Sequence, residues 1–334
     1  MEYSVYQGTQ YKTMKNVNAD SVKKKTTKET LSLKLEDFEK SFDDTLSSFF
    51  ASKVKEHKVV LERLSQLERD EIILKIIKEL SNPSVVRAGE ERRGQWDLGW
   101  KENLESFLDT RDVDFLLPRY FGKYPIIRWN QDLYRVSKSR DEVNMLALVE
   151  YWIFEKYLSD LPAVYEFGCG TGHNLIRLRE VNKKAKLVGL DWAKSSQEII
   201  SKLVDKNILT NAGCYNFDFF HPDSSLALDS ASGVYTVAAL EQIGPNFLPF
   251  VDFILSKKPK ICVHIEPIAE LLDETNLIDF LSVQYFKKRH YLDGFLSHLE
   301  DLESTGKIKL LSTKRSYVGS LFVDGYSIIV WYPL

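Results

Sequence analysis

The sequence has few cysteines and no cysteine pair. Its 334 residues include only Cys169, Cys214 and Cys262, which are far apart and form no CxxC motif. Zinc and iron–sulfur sites need ligands at short, paired spacing, and that spacing is missing here. Each cysteine lies in a segment predicted to be buried or nearly buried. This pattern indicates reduced core thiols of an intracellular protein.

Long apolar runs and an excess of charge are also missing. Residues 1–25 hold no apolar run of a signal peptide, and windows such as Ile261–Ile268 are too short to cross a bilayer. Lys and Arg number 45 against 48 Asp and Glu, a net charge of −3, which provides no overall attraction to nucleic acid or to an anionic membrane. We therefore predict a cytoplasmic protein without a membrane partner and with no preference for nucleic acid, and its oligomeric state stays open.

Three regions are predicted along the chain. Residues 1–40 are polar and rich in Lys, Thr and Ser, which is typical of a flexible tail, although tyrosines within it would also suit a lid. Residues 41–138 carry apolar positions at helical spacing and are predicted to be a helical substrate-recognition region. These positions include Val59, Leu61 and Leu64, and one helix face that is expected to pack inward: Trp96, Trp100, Leu104 and Phe107. Residues 139–334 form the third region, which opens with a long helix at the capping box Ser139-x-x-Glu142.

Strands and helices alternate after residue 161. The predicted strands are Ala163–Phe167, Lys186–Leu190, Ser232–Ala238 and Lys260–Ile265. This alternation predicts an α/β fold with a Rossmann-like, doubly wound and mostly parallel sheet. Two last apolar runs, Ile308–Thr313 and Tyr326–Tyr332, are predicted to form an antiparallel strand pair. The predicted fold class is thus this sheet with an antiparallel C-terminal pair, preceded by an N-terminal helical region.

The most informative stretch is the segment from Val164 to Gly172, with the sequence Val-Tyr-Glu-Phe-Gly-Cys-Gly-Thr-Gly. It joins a strand to a helix through three alternating glycines, which permit positive φ and the close approach of a ligand. The following helix N-terminus favours a bound anion. The dinucleotide fingerprint G-x-G-x-x-G fails because His173 stands at the third glycine position, and no lysine of a P-loop follows.

The pattern E-x-G-x-G-x-G resembles the first motif of the class I S-adenosylmethionine-dependent methyltransferases. The resemblance covers roughly residues 140–334. Three later motifs support it: Asp191 and Trp192 after the second strand, Asp218 with Phe219, and the segment from Ala239 to Ile243. The last resembles the family's Leu-Glu-His-Ile/Val element, with Gln242 in place of histidine. A base supplied by that histidine would have to come from elsewhere in this chain.

The resemblance implies S-adenosylmethionine as the cofactor and S-adenosylhomocysteine as its product. It places the adenine beside Trp192 and Phe219, the adenine amine at Asp218, and the ribose hydroxyls at Asp191, which can accept charge-assisted hydrogen bonds. The implied cofactor-binding residues are Glu166, Gly168, Cys169, Gly170, Gly172, Asn174, Asp191, Trp192, Asp218, Phe219 and Glu241.

Candidate catalytic residues follow the fifth strand and a later helix. His264 and Glu266 are two residues apart and share a strand face, so His264 is a candidate base and Glu266 its orienting group or a substrate ligand. A satisfied, partly buried strand histidine is the alternative for His264. His290 is a further candidate base. No metal is predicted, because two coordinating side chains are too few.

Substrate contacts are predicted from a stretch that mixes cations with aromatic residues. Arginine binds phosphate and carboxylate groups through bidentate hydrogen bonds, and aromatic side chains pack on the faces of sugars and other rings. This mixture favours an anionic or sugar-like acceptor, such as a sugar nucleotide, and a solvated basic loop is the alternative. The candidates are Arg119, Tyr124, Arg128, Trp129, Gln242 and Tyr285.

The predicted function is O- or N-methylation of a small polar molecule. A non-catalytic regulatory or scaffold protein with this fold, a protein or peptide methyltransferase, and a nicotinamide-dependent oxidoreductase are the alternatives. The oxidoreductase conflicts with His173 at the third glycine position. Methylation of exocyclic base amines conflicts with the segment after the fourth strand, which lacks an Asn/Asp-Pro-Pro-aromatic tetrapeptide.

Overall fold

The computed structural model describes residues 29–334. Most of the predicted tail or lid lies outside these residues. The predicted boundary at residue 40 falls inside a helix, α1. The described strands are β1 (Thr30–Ser32), β2 (Val60–Arg63), β3 (Ile126–Trp129), β4 (Asp132–Val136), β5 (Ala163–Phe167), β6 (Lys186–Asp191), β7 (Ala212–Asn216), β8 (Gly233–Val237), β9 (Ile261–Glu266), β10 (Ile308–Lys314), β11 (Val318–Gly319) and β12 (Ser327–Pro333).

The described helices lie on both faces of the larger sheet and around the smaller one. They are α1 (Leu35–Phe42), α2 (Ser48–His57), α3 (Gln66–Leu80), α4 (Arg93–Thr110), α5 (Asp141–Tyr157), α6 (His173–Val181), α7 (Lys194–Asp205), α8 (Leu248–Lys257), α9 (Leu277–Arg289) and α10 (Phe295–Ser304). Among residues 29–334, none of these helices combines the length and the apolar character that crossing a bilayer requires.

The larger sheet has seven strands in the order β10-β12-β9-β8-β5-β6-β7. The five strands β5 to β9 are parallel, β12 runs antiparallel to β9, and β10 runs antiparallel to β12. The predicted parallel sheet and its antiparallel C-terminal pair are therefore confirmed. The strand order reverses between β5 and β8, and open α/β sheets bind ligands at the carboxyl ends of the strands beside such a reversal.

A second sheet belongs to the N-terminal part of the chain. It has five antiparallel strands in the order β1-β2-β4-β3-β11, so the N-terminal region contains strands as well as the predicted helices. The helical interpretation of Val59–Leu64 was wrong: Leu61 is fully buried between half-buried neighbours, as in a strand, and pairs with β1 and β4. A short apolar run is compatible with the periodicity of a helix and with that of a strand. Hydrogen bonding to β1 and β4 makes this segment a strand.

Helix α5 lies between the two sheets, and fourteen of its seventeen residues are buried. One apolar cluster joins Trp129 of the small sheet, Leu148 of α5 and Val263 of the large sheet. The capping box at Ser139 was wrong, because α5 begins at Asp141, whose carboxylate accepts the Lys138 N–H. The Glu142 carboxylate instead accepts the backbone N–H of Gly122, 2.8 Å away. Both sheets therefore share one core.

Candidate active site

A cleft lies at the carboxyl ends of β5, β6 and β8, where the strand order reverses. The space between its walls, open solvent included, measures about 650 Å³. Its lining residues come from the glycine loop, from the ends of β6 and β8, and from α4 and the segment after it: Trp96, Trp100, Pro118, Tyr120, Gly168, Cys169, Gly170, Thr171, His173, Asn174, Asp191, Trp192, Phe219, Val237, Ala238, Ala239, Gln242 and Ile243.

The loop from Gly168 to Gly172 requires glycine at each of its three glycine positions. Their φ values are +75°, +50° and +72°, in the left-handed region that side chains with a Cβ rarely adopt. A Cβ at Gly168 would lie 2.5 Å from the Ala239 Cβ, and one at Gly172 would lie 2.3 Å from the Ile200 side chain. The loop is thus packed tightly between the end of β8 and α7.

Asp191 ends β6 and holds this loop in place. One carboxylate oxygen accepts the Gly170 N–H at 2.9 Å, and the other accepts the Ala193 N–H at 2.8 Å. Burial raises the pKa of Asp191 to about 6, and these two backbone N–H groups work against that rise. A carboxylate has about four lone-pair sites, so Asp191 retains acceptor capacity on the cleft side.

The strand order decides between the families that combine a parallel sheet with a glycine loop. Dinucleotide-binding sheets run 3-2-1-4-5-6, all parallel. Here the corresponding order is 3-2-1-4-5, followed by the antiparallel last strand β12 and then β10 at the edge. This order differs from the all-parallel dinucleotide-binding sheet and agrees with the mostly parallel Rossmann-like sheet and antiparallel C-terminal pair that the sequence predicts. The glycine loop and Asp191 lie at the carboxyl ends of β5 and β6, the first two parallel strands.

Comparison with known proteins gives distant structural likenesses. No family model matches the sequence, and no curated protein sequence matches it. The O-methyltransferase NcsB1 from neocarzinostatin biosynthesis, solved with S-adenosylmethionine and 2-hydroxy-5-methyl naphthoic acid, is 18% identical over 72% of this chain and 70% of that chain, with a TM-score of 0.41. The N-methyltransferase NodS from Bradyrhizobium japonicum WM9, solved with S-adenosyl-L-homocysteine, is 10% identical over 70% and 98%, with a TM-score of 0.42.

A third structure, the mitomycin 7-O-methyltransferase MmcR, is 12% identical over 82% of this chain and 77% of that chain, with a TM-score of 0.43. Likenesses at this level assign neither a substrate nor a residue role to this chain.

Helix α4 covers the cleft. The rings of Trp96 and Trp100 are stacked 5.2 Å apart, and Trp100 lies over the glycine loop, 3.1 Å from where a Cβ of Gly170 would stand. Two polar contacts fix α4 there. The Asp97 carboxylate accepts the Ser195 N–H at the start of α7, and Arg93 forms an ion pair with Asp218.

Seven of the eleven predicted cofactor-binding residues line the cleft: Gly168, Cys169, Gly170, Asn174, Asp191, Trp192 and Phe219. The Trp192 ring is parallel to Phe220 at a centroid distance of 6.1 Å, and the Arg93 guanidinium lies 5.0 Å over it. Asp218 is committed to Arg93 and lies outside the lining, so its place at the adenine amine stays a prediction.

The other predicted cofactor residues lie beneath or beside the cleft. Glu166 is fully buried under the glycine loop, where it accepts hydrogen bonds from Asn174 at 2.8 Å and from the Tyr235 hydroxyl at 2.8 Å. Burial raises the pKa of Glu166 to about 8. Gly172 begins α6 beside Ile200. Glu166 therefore positions Asn174 and the loop from below.

A larger cavity opens beside the cleft and encloses about 1760 Å³ of space between protein atoms. Trp96, Trp100, Tyr120, Ala238 and Gln242 line both spaces, so the two spaces adjoin at the end of β8. The larger cavity extends between α4, the end of α9 and the segment around Phe322. Such a pair of joined spaces can hold two ligands next to each other.

Four carboxyl groups line this larger cavity, those of Glu79, Glu102, Glu142 and Glu241, and two of them have raised pKa values. Glu241 accepts a hydrogen bond from its neighbour Gln242 at 2.6 Å, and burial together with the charge of Glu266 raises its pKa to about 8. Burial raises the pKa of Glu142 to about 7. A carboxyl group with a pKa near neutrality can exchange a proton with a ligand. Glu241, predicted as a cofactor residue, thus lies on the side of the second space.

The predicted catalytic residues do not reach either space. His264 is fully buried on β9, where its Nδ1 is 2.9 Å from the Thr236 hydroxyl and its ring packs among Phe250, Phe295 and Trp331. Burial lowers the pKa of His264 to about 3. The structure therefore agrees with the alternative of a buried strand histidine and not with a role of His264 as a catalytic base. The sequence could not show that β12 covers this strand.

Glu266 and His290 also lie outside both spaces, although they were predicted to be catalytic. The Glu266 carboxylate is buried and accepts the backbone N–H groups of Ala239, Leu240 and Glu241 at 3.0–3.3 Å. It therefore fixes the turn after β8, is linked to His264 only through the Thr236 hydroxyl, and lines neither space. His290 is exposed at the end of α9, with φ +53°.

Four of the six predicted substrate residues line the larger cavity: Arg119, Tyr124, Gln242 and Tyr285. The Arg119 guanidinium is largely exposed and forms an ion pair with Glu102 at 2.9 Å. Arg128 and Trp129 were wrongly assigned to a binding loop. Arg128 is fully buried and donates to backbone carbonyls of Ile278 and Leu321, and Trp129 packs in the core.

Several lining residues were not predicted. Trp96 and Trp100 were interpreted as an inward-packing helix face, which is correct for their spacing but did not show that the face covers a cleft. Arg92 was not predicted, and it lines the larger cavity together with Arg289 and Tyr291 from a distant part of the chain. The only available signal was the density of aromatic and basic residues around positions 87–100, which tertiary contacts turn toward β8. Within residues 29–334, no group of three or more potential metal ligands is found.

Proposed function

We propose that the chain is an S-adenosylmethionine-dependent methyltransferase of a small polar molecule. The observation that carries the proposal is the pair of adjoining spaces at the carboxyl end of the sheet, one at the glycine loop and one beside it. The proposed cofactor site is the cleft, and the proposed acceptor site is the larger cavity. Methyl transfer requires two reactants held in line, and two adjoining spaces can place a cofactor and an acceptor side by side.

The residues of the cleft fit the proposed cofactor. The positive φ values of the glycine loop leave its backbone open to a ligand, and the buried Asp191 carboxylate can accept hydrogen bonds from ribose hydroxyls. Trp192 and Phe219 provide apolar surfaces for a flat base. When bound, S-adenosylmethionine supplies an electrophilic methyl group.

In the acceptor site, Tyr124 and Tyr285 provide ring surfaces and Gln242 a polar contact at the boundary to the cleft. We assign the ionised form of Glu241 the role of receiving the acceptor's proton, since its carboxyl lines the larger cavity beside Gln242; with a pKa of about 8, this form becomes more populated as the pH rises toward 8. An acceptor hydroxyl needs such a base, whereas an amine has to arrive uncharged. The residues beside Glu241 serve either acceptor by excluding water.

Isothermal calorimetry with S-adenosylmethionine, S-adenosylhomocysteine and NAD tests the proposal. We expect both adenosyl ligands to bind and NAD not to bind. Binding of NAD alone, or of none of the three, would overturn it. A protein that binds the adenosyl ligands but transfers no methyl group to any sugar nucleotide, aromatic acid or amine offered would instead be a non-catalytic member of the fold.

A further inference from the structure

Two arginines line the larger cavity without a carboxylate partner. Arg92 and Arg289 come from the turn before α4 and from the last residue of α9, and both are half-buried. Neither forms an ion pair within 4.0 Å among residues 29–334, although most other arginines of this region do. The two guanidinium groups are close enough that Arg289 acts with burial to lower the pKa of Arg92.

Their hydrogen bonds and ring contacts are to neutral groups, and the Glu241 carboxyl acts on both guanidinium groups only through its charge. Arg92 donates to the amide oxygens of Gln95 at 3.1 Å and Gln242 at 2.5 Å, and its guanidinium lies 4.7 Å over the Trp96 ring. The Arg289 guanidinium lies 5.2 Å over the Tyr291 ring, and its buried Nε has no hydrogen-bond partner within the described residues. A buried donor without a partner costs free energy unless a ligand satisfies it.

The backbone holds the two arginines at one place. The Ala88 N–H donates to the Arg289 carbonyl at 2.7 Å, and the Gly89 N–H donates to the Gln242 carbonyl at 3.0 Å. These bonds dock the segment before α4 against both the end of α9 and the turn after β8. The two cations are thus fixed next to the boundary between the cavity and the proposed cofactor cleft.

The surrounding walls are aromatic. Tyr285 stacks on Phe322 at a centroid distance of 5.0 Å, and Tyr124 meets Phe322 edge-on at 5.6 Å. Flat aromatic surfaces beside a pair of guanidinium groups suit a ring that carries an acidic group, because arginine binds carboxylate and phosphate oxygens with paired hydrogen bonds. Carboxyl groups also line this cavity, but burial raises the pKa of Glu142 to about 7 and of Glu241 to about 8, which reduces their negative charge near neutral pH.

We infer that Arg92 and Arg289 together bind the acidic group, a carboxylate or a phosphate, of a ring-containing methyl acceptor. The identification of the bound molecule as a methyl acceptor rests on the proposed function, whereas the anion site rests on the cavity alone. Gln242, which joins Arg92 to Glu241 through its amide, sets the distance between the bound acidic group and the reacting end of the acceptor.

Ligand-observed NMR titration tests the anion site with phenyl phosphate, benzoate and phenol as probes. We expect the wild-type protein to bind phenyl phosphate or benzoate, and to bind phenol at least tenfold more weakly. Arg92→Gln and Arg289→Gln should each weaken binding of the anionic probe about tenfold or more. Phenyl phosphate and benzoate separate a phosphate acceptor from a carboxylate acceptor.

Arg140→Gln is the matched control, because Arg140 forms an exposed ion pair with Asp114 outside both spaces. It removes the same charge from the molecule and should leave probe binding unchanged. Circular dichroism and binding of S-adenosylhomocysteine serve as tests that the two cavity variants remain folded. If one of them does not fold, Arg289→Lys, which keeps the charge and loses the paired geometry, replaces it.

Equal binding of phenol and the anionic probes, no saturable binding of either anion at millimolar concentration, or unchanged affinity in Arg92→Gln and Arg289→Gln would overturn the inference. Calorimetry with S-adenosylhomocysteine on the same samples keeps the two proposals apart. Cofactor binding without anion binding would contradict the anion site and support the methyltransferase proposal. Anion binding without cofactor binding would support the anion site and contradict the methyltransferase proposal.

Discussion

At the scale of single residues, the carboxyl group of Asp191 connects the glycine loop to the proposed cofactor. Its two oxygens already hold the backbone N–H groups of Gly170 and Ala193, so any ribose hydroxyl would bind to an acceptor that is fixed in advance. Such preorganisation reduces the entropy lost on binding. The same burial that fixes the group makes its charge dependent on pH near 6.

We expect the affinity for S-adenosylhomocysteine to rise as the pH rises through about 6, because ribose hydroxyls donate to the charged form of Asp191. Below this pH the protein has to release a proton to bind, which costs up to tenfold per pH unit. Calorimetry between pH 5.0 and 7.5 measures the step. Asp191→Asn should bind more weakly and show no step. A step that persists unchanged in that variant would place the titrating group elsewhere.

A second residue-scale prediction concerns Gly170. Gly170→Ala forces a Cβ into a left-handed conformation and to 3.1 Å from the Trp100 ring, at a cost of about 1–3 kcal/mol. We expect a lower melting temperature and weaker cofactor binding. Gly213→Ala is the matched control, since a Cβ there meets no atom within 4 Å and Gly213 has no positive φ. Equal behaviour of the two variants would contradict the described loop geometry.

At the scale of elements, helix α4 covers the cleft and also lines the larger cavity. It lies outside the parallel sheet and the helices that cover it. The turn before it docks on the turn after β8 and on the end of α9, which brings α4 to the site. Asp97 anchors it by accepting the N–H and hydroxyl of Ser195 at the start of α7. A ligand in the cleft would therefore contact an element that belongs to the N-terminal region.

Asp97→Ala should loosen α4 without unfolding the sheet, because an accepted N–H at a helix start contributes about 0.5–2 kcal/mol. Hydrogen–deuterium exchange should become faster in α4 and at the start of α7 and stay unchanged in β5 and β8. S-adenosylhomocysteine should slow exchange in α4 of the wild type. The exposed Asp109 at the far end of α4 provides a control in Asp109→Ala. Unchanged α4 exchange in Asp97→Ala would contradict this anchoring.

At the scale of the whole molecule, several buried carboxyl groups have raised pKa values. Burial raises the pKa of Glu166 and Glu241 to about 8, and of Glu142 and Glu266 to about 7. In the folded state these groups hold protons that the unfolded chain has already released above pH 4.5. Stability from them is full below pH 4.5 and is lost as the pH rises through their folded pKa values.

We expect the free energy of unfolding to fall between pH 6.5 and 9. Buried histidines whose pKa is lowered, among them His57 and His264, oppose this trend only below pH 6.5, where their unfolded forms take up protons. Calorimetric melting at pH 6.5, 7.5, 8.5 and 9 measures the slope. Glu166→Gln should flatten it, and the same change at exposed Glu198 should not. Stability that increases over this range would contradict the burial of these carboxyl groups.

The sequence by itself determined the features that depend on short stretches of chain. The glycine loop, Asp191 and the alternation of strands and helices follow from local backbone preferences and periodicity, and all of them are present in the structure. Helix α4 was also found from the spacing of its apolar residues. Even the antiparallel last strands could be predicted, since each is a single apolar run at the end of the chain.

Tertiary structure alone decided which side chains reach the site. His264 is in the core because β12 and α10 cover β9, and no local pattern records that covering. Arg92, Glu241 and Arg289 are separated by 149 and 48 positions along the chain and meet only where the turn before α4 docks on β8 and α9. Segment docking depends on long-range packing and backbone hydrogen bonds, which a single sequence does not display.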